Sequence, residues 1–149
     1  MLQAGDEAPD FSLESDEGET VTLSALRGRP VVFYFYPKDD TPGCTTQACA
    51  LRDGYGEIAA LGAAIYGISP DDAESHRSFR AKYGLPFPLL VDKDHAVADA
   101  YGAWGPRPNG EPGIVRSAFV VGADGRLVHA SYGVKPEDTA PEALAALSA

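Results

Sequence analysis

Cys44 and Cys49 are the side chains of this sequence best suited to chemistry. They lie in the segment Pro37-Lys38-Asp39-Asp40-Thr41-Pro42-Gly43-Cys44-Thr45-Thr46-Gln47-Ala48-Cys49, directly after an unbroken run of strand formers. Thr41-Pro42 reads as the start of a helix, which puts Cys44 in its first turn. Unpaired backbone N–H groups and the positive end of the helix dipole favour a thiolate there, and the thiolate is the nucleophilic form of cysteine. The simpler alternative makes both cysteines small apolar core residues, the common fate of an unpaired cysteine. Spacing weighs against two other chemistries. A thioredoxin-type dithiol centre needs Cys-x-x-Cys, whereas four residues intervene here. A zinc site would need histidines at ligand spacing, but His76, His95 and His129 fall on a helix, at a helix start and in a hairpin strand. All three are expected to be solvated or locally hydrogen-bonded, and no metal or other cofactor is expected.

The elements that must position this segment alternate between strand and helix periods. Val31 to Tyr36 (Val-Val-Phe-Tyr-Phe-Tyr) reads as a strand buried on both faces, at the centre of a sheet. Ala64 to Ser69 and Val115 to Val121 are similar runs, and Arg126 to Ser131 closes a hairpin with the latter across Ala123-Asp124-Gly125. Helix-period segments run from Cys44 to Leu61, Ala73 to Tyr83, Ala96 to Tyr101 and Pro141 to Leu147. Glu19 to Leu23 alternates like an edge strand paired with Phe11 to Glu14. Gly105 to Gly113, with three Pro and three Gly, is expected to be an irregular surface loop. Asp39-Asp40 reads as solvated loop, and Trp104 and the tyrosines as packing groups. The expected class is a mixed α/β sheet covered by helices on both faces, in one domain over residues 1–149.

Composition narrows the function classes. A chain of 149 residues buries roughly 70% of its unfolded surface, so its core needs no disulfide or metal staple and leaves the cysteines free. With 22 acidic against 12 basic residues the net charge is -10, and no stripe of Lys and Arg offers itself to phosphates, which excludes nucleic acid as a natural partner. No apolar run approaches the roughly 20 residues of a membrane span, and the first residues lack the basic start and apolar core of a signal peptide. The chain is expected in the cytoplasm, away from membranes.

Pro37-x-x-x-Thr41-x-x-Cys44 resembles the active-site motif of the peroxiredoxins. The fuller string Phe35-Tyr36-Pro37-Lys38 to Thr41-Pro42-Gly43-Cys44-Thr45, with Cys49, is similar to the subfamily of bacterioferritin comigratory protein and peroxiredoxin Q. Gly5-Asp6-x-Ala8-Pro9-Asp10-Phe11 resembles the opening of that family, and Gly113-Ile114-Val115-Arg116-x-Ala118-Phe119 the strand that bears its arginine. Gly67-Ile68-Ser69 and Tyr101-Gly102-x-Trp104-Gly105 also fit, so the likeness covers essentially the whole chain.

The resemblance implies a thioredoxin-like fold and a cofactor-free reduction of hydrogen peroxide and organic hydroperoxides. Cys44 would be the nucleophile that becomes a sulfenic acid. The Thr41 hydroxyl, backbone N–H groups near Gly43 and Cys44, and the Arg116 guanidinium would meet the charge along S–O–O, while Pro37, which has no N–H, would shield the sulfur. Seen singly, Pro37 could be a strand terminator, Thr41 a helix cap and Arg116 an edge side chain. Cys49 resembles the resolving cysteine, which would form an intramolecular disulfide reopened by thioredoxin or a similar dithiol protein; the likeness also favours a monomer. On an ideal helix residues five apart diverge by ~140° with Cα atoms ~8.6 Å apart, beyond the about 7 Å a disulfide tolerates. The helix would therefore have to open at each turnover, and Thr45-Thr46, Gly54 and Gly56 are read as weakening it, the alternative being that the two glycines allow close packing against the sheet. Two other classes remain: a general thiol-disulfide oxidoreductase, and a non-enzymatic interaction domain on the same fold.

Overall fold

A computed structural model describes all 149 residues. The strands are β1 (Ser12–Ser15), β2 (Thr20–Thr22), β3 (Val31–Phe35), β4 (Ala64–Ser69), β5 (Leu89–Val91), β6 (Trp104–Pro106), β7 (Pro112–Ile114), β8 (Ser117–Val121) and β9 (Leu127–Tyr132). The helices are α1 (Pro42–Asp53), α2 (Tyr55–Ala60), α3 (Ala73–Tyr83), α4 (Ala96–Ala100) and α5 (Thr139–Ser148). Seven strands form one mixed sheet in the order β2-β1-β5-β4-β3-β8-β9. β3 runs parallel to β4 and antiparallel to β8, and β4 runs parallel to β5. The fold is thioredoxin-like α/β.

β3 is the spine because every side chain along it finds a core. Val32 and Tyr34, with Tyr36 just beyond the strand, enter one apolar cluster; Val31, Phe33 and Phe35 enter the other. The first cluster is closed by α1, α2, α3 and α5 through Leu51, Ile58, Phe79 and Ala143. The second is closed by α4 (Ala98), a 3-10 turn at Leu23–Leu26 and the aromatic set of Phe11, Phe33, Tyr101 and Phe119, whose rings meet edge-on or stacked. Truncating a ring such as Phe33 to Ala typically costs about 3–5 kcal/mol. Helices thus cover both faces, but unequally.

α3 coincides with its predicted span because both ends are written locally. The Asp72 side chain accepts from the Ser75 N–H at 2.8 Å, and Gly84 closes the helix at φ +61°, a conformation that disfavours a side chain. The helix expected from Cys44 to Leu61 is instead two helices that meet at Gly54, so Gly54 lies at a junction and weakens no helix interior. Of Gly105 to Gly113, expected to be irregular throughout, only residues 107–111 form an irregular turn; the two ends pair as a β-ribbon, Trp104 with Ile114 and Gly105 with Gly113. Its prolines stand opposite each other at the far end, Pro106 against Pro112, where a missing N–H costs least. β5 lies between Pro88 and Asp92 and is too short to show a period. Val115 and Arg116 precede β8, so the arginine stands immediately ahead of the strand expected to bear it.

Candidate active site

The sheet register assembles the site. Phe35, the last residue of β3, pairs with Ser117, the first of β8, which brings Arg116 beside the turn that leaves β3 toward Pro37 and α1. α1 begins at Pro42 with Thr41 as its N-cap, so Cys44 is in the first turn, as its sequence position implied. The Cys44 side chain is buried on the inner face of that turn. Arg116 places Nη2 at 3.5 Å and Nη1 at 3.6 Å from its sulfur, across 72 residues of chain. Gly43 makes room for it: a Cβ there would stand 2.9 Å from Arg116 Nη2.

The guanidinium is itself held. Its Nη1 donates to Gln47 Oε1 at 2.8 Å, and Gln47 Nε2 donates to the Thr139 hydroxyl at 2.9 Å, where α5 begins. Gln47 is fully buried, one turn beyond Cys44 on the same face of α1. Sequence reasoning missed it, and the available signal was its spacing, three residues after the cysteine. Pro37, Val115, Arg116 and Val134 line a cleft whose other wall is Pro106, Arg107 and Pro108 of the ribbon, a largely apolar mouth that holds two cations, Arg107 and Arg116.

Among the other expected residues, Thr41, Asp39, Tyr36 and His76 are arranged differently from the sequence reading, and Cys49 is on the expected helix. The Thr41 hydroxyl donates to the Lys38 carbonyl at 2.8 Å and makes no side-chain cap. Cys49 is half-buried on the same unbroken helix as Cys44, and both thiols are free. Asp39, read as solvated, is buried and accepts from Tyr36, Ser75 and His76, because the turn out of β3 folds it beneath α3. Tyr36 is therefore a hydrogen-bond donor as well as a packing group. His76 is fully buried, and its partner in the turn is far from local. His95 stacks on Trp104 with ring centroids 3.6 Å apart and its Nδ1 buried without a partner, while His129 meets Glu142 at 3.1 Å. No three His, Cys, Asp or Glu side chains gather as a metal site would require, and no helix is long and apolar enough to cross a membrane.

The site thus presents one buried thiol to a guanidinium on a mixed α/β sheet, with no Cys-x-x-Cys pair in the chain. The AhpC/TSA family profile matches residues 4–130. Peroxiredoxin Bcp of Bacillus subtilis is 47% identical over 149 residues, spanning 98% of this chain and 95% of that protein. Peroxiredoxin Bcp of Escherichia coli is 45% identical over 131 residues, 86% of this chain and 84% of its own. A solved structure of the Xanthomonas campestris bacterioferritin comigratory protein, from a study of its alkyl peroxide reduction, superposes with a TM-score of 0.90 at 38% identity, covering 97% of both chains. The chain belongs to the AhpC/TSA family and is a peroxiredoxin of the Bcp/PrxQ subfamily, a hydroperoxide-reducing enzyme with two cysteines.

Proposed function

We propose that Cys44 is the peroxidatic cysteine, Arg116, Thr41 and Pro37 its active-site partners, and Cys49 the resolving cysteine of an intramolecular disulfide recycled by thioredoxin or a similar dithiol protein. The observation that carries this is the pair of Arg116 nitrogens at 3.5 and 3.6 Å from the Cys44 sulfur. The Cys44 thiolate attacks one oxygen of a hydroperoxide ROOH, the O–O bond breaks, and ROH leaves after taking up a proton, with the other oxygen kept as sulfenic acid. Arg116 stabilises the charge spread along S–O–O, and Pro37 offers no donor to compete for it. The Cys49 sulfur then attacks the sulfenic sulfur, forming the disulfide and releasing water. Two electrons from an external dithiol restore both thiols and leave the donor as a disulfide.

Resolution requires movement. Both cysteines lie on α1, and on an intact helix residues five apart hold their Cα atoms ~8.6 Å apart, so the first turns must unwind before a bond limited to about 7 Å forms. The apolar cleft beside Pro37 and Val134 supports organic hydroperoxides alongside hydrogen peroxide. The same proposal makes residues 1–149 one catalytic domain, active as a monomer in the cytoplasm; sedimentation and cell fractionation test those two properties.

The test of the chemistry uses two variants. Cys44→Ser should abolish peroxide consumption. Cys49→Ser should reduce one equivalent at normal speed and leave a sulfenic acid that dimedone traps. A Cys49→Ser protein no faster with peroxide than free cysteine would overturn the assigned roles, and steady-state turnover with thioredoxin and its reductase, against alternative donors, identifies the reductant.

A further inference from the structure

Five residues ahead of Cys44, the turn out of β3 buries a carboxylate that the chemistry above does not use. Asp39 Oδ1 accepts from the Tyr36 hydroxyl at 2.6 Å, and its Oδ2 accepts from the Ser75 hydroxyl at 2.8 Å and lies 2.7 Å from His76 Nδ1. The far nitrogen of that ring, Nε2, is 2.9 Å from the Leu90 carbonyl. The Asp39 N–H donates to Asp71 Oδ2 at 2.6 Å. One aspartate therefore ties the turn to the end of β3, to α3, to the loop before α3 and, through the imidazole, to β5.

The proton count decides the state of the pair. A backbone carbonyl only accepts, so Nε2 carries a hydrogen. In a neutral ring the other nitrogen would then present a lone pair to a carboxylate at 2.7 Å, a contact that repels. A second proton must lie between them, and the imidazolium form places it on Nδ1. Burial pushes the His76 ionisation down, but the Asp39 hydrogen bond and charge, the Leu90 carbonyl and the Asp71 charge outweigh it, so the group stands above its ordinary 6.5. The titratable groups facing it are Asp39 from the turn, Asp71 from the loop before α3 and the Tyr36 phenol from the end of β3; β5 contributes only a carbonyl. The nearby cations of α3 are directed elsewhere, Arg77 to the Asp16 carbonyl and Arg80 to Asp16 and Glu17.

We propose that Asp39 and His76 are positioning residues of the peroxidase, a buried charge pair that holds the turn carrying Pro37 and Thr41 in place and marks the upstream limit of the segment that unwinds. This rests on the roles proposed above for Cys44 and its neighbours. A buried ion pair is commonly replaceable by apolar groups without loss of stability, and its best-attested use is to fix register. Here the register is that of the loop against α3 and β5. From a fixed Asp39, the five residues to Cys44 reach at most about 17–18 Å when extended, ample for the cysteine to leave its helical position while Pro37 stays. The helix can then rewind onto an unchanged turn after each reduction.

The pH dependence follows with a definite sign. A histidine held above its ordinary value keeps its partner while protonated, so the latch is complete at and below pH 6.5 and is lost as pH rises through the folded-state midpoint above it.

Nitrogen NMR titration of the wild-type protein should place the His76 midpoint above 6.5, with both ring nitrogens protonated below that midpoint. The rate constant for oxidation by hydrogen peroxide should fall on the alkaline side with the same midpoint. His76→Gln, an uncharged donor, should react on the order of tenfold more slowly at pH 7 and lose that alkaline limb, and Asp39→Asn should lower the His76 midpoint. Hydrogen exchange of the amides of residues 38–41 should accelerate in both variants. A His76 midpoint at or below 6.5, or an alkaline limb unchanged in His76→Gln, would overturn the latch. The NMR titration and exchange need no turnover, so they stand or fall separately from the catalytic roles, which the cysteine variants test.

Discussion

Gly43→Ala should slow peroxide reduction without weakening the fold. The added Cβ would stand 2.9 Å from Arg116 Nη2, and ordinary contact begins near 3.4–4 Å, so the guanidinium must retreat by about 0.7 Å. It cannot swing away freely, because its Nη1 is bonded to Gln47 at 2.8 Å. With an effective dielectric of about 20, retreat from 3.5 Å by that amount weakens attraction to a thiolate by up to about 0.8 kcal/mol. Distortion of the Gln47 hydrogen bond adds roughly another 1 kcal/mol at most. A loss of about 1–2 kcal/mol in the transition state corresponds to roughly 5- to 30-fold in rate. Stability should move the other way or stay level, since Gly43 lies in the first turn of α1 and alanine is the better helix former. Stopped-flow oxidation by hydrogen peroxide, with a thermal melt on the same samples, measures both. Gly56→Ala, where a Cβ meets nothing within 4 Å, is the control and should react at wild-type speed. The sharpest check is non-additivity: in an Arg116→Met background the Gly43 substitution should cost nothing, because the crowded guanidinium atoms are gone. A Gly43→Ala rate within twofold of wild type, or equal costs in both backgrounds, would refute the reasoning.

Arg116→Met alone should slow oxidation about 30- to 1000-fold, the range for removing a positioned donor worth roughly 2–4 kcal/mol; a rate constant within twofold of wild type would remove Arg116 from the chemistry. Amides from Thr45 to Leu51 should lose hydrogen-exchange protection in the disulfide form, and equal protection in both redox states would mean the disulfide forms by another movement. Because Gly54 lies at the junction of α1 and α2, beyond both cysteines, Gly54→Ala with Gly56→Ala should leave the rate of disulfide formation within about twofold, as expected for surface changes worth a few tenths of a kcal/mol; slower formation with normal sulfenate formation would show that flexibility at the junction drives the opening. Chelator treatment should leave activity intact, and a loss that zinc or iron restores would contradict cofactor-free chemistry.

The sequence by itself determined whatever depends on neighbours along the chain. Val31 to Phe35 had to be an inner strand, since five successive apolar side chains leave no face for water. α3 is bounded by an Asp72 cap and a left-handed Gly84, both local devices. Thr41-Pro42 opens the helix and puts Cys44 in its first turn, so the candidate nucleophile and its spacing to Cys49 were visible as a string. Tertiary structure decided what depends on register between distant segments. Arg116 reaches Cys44 because Phe35 pairs with Ser117, and a slip of one residue would turn the β8 side chains to the other face of the sheet. Gln47 looks like an ordinary polar helix residue until α5 brings Thr139 to one end of its amide and β8 brings Arg116 to the other. Asp39 carries the same lesson more sharply. Beside Asp40, in a polar loop, a carboxylate reads as solvated; only the packing of α3 and β5 over that loop supplies the hydroxyls and the imidazole that offset its desolvation, and no local pattern encodes partners separated by 36 and 37 residues.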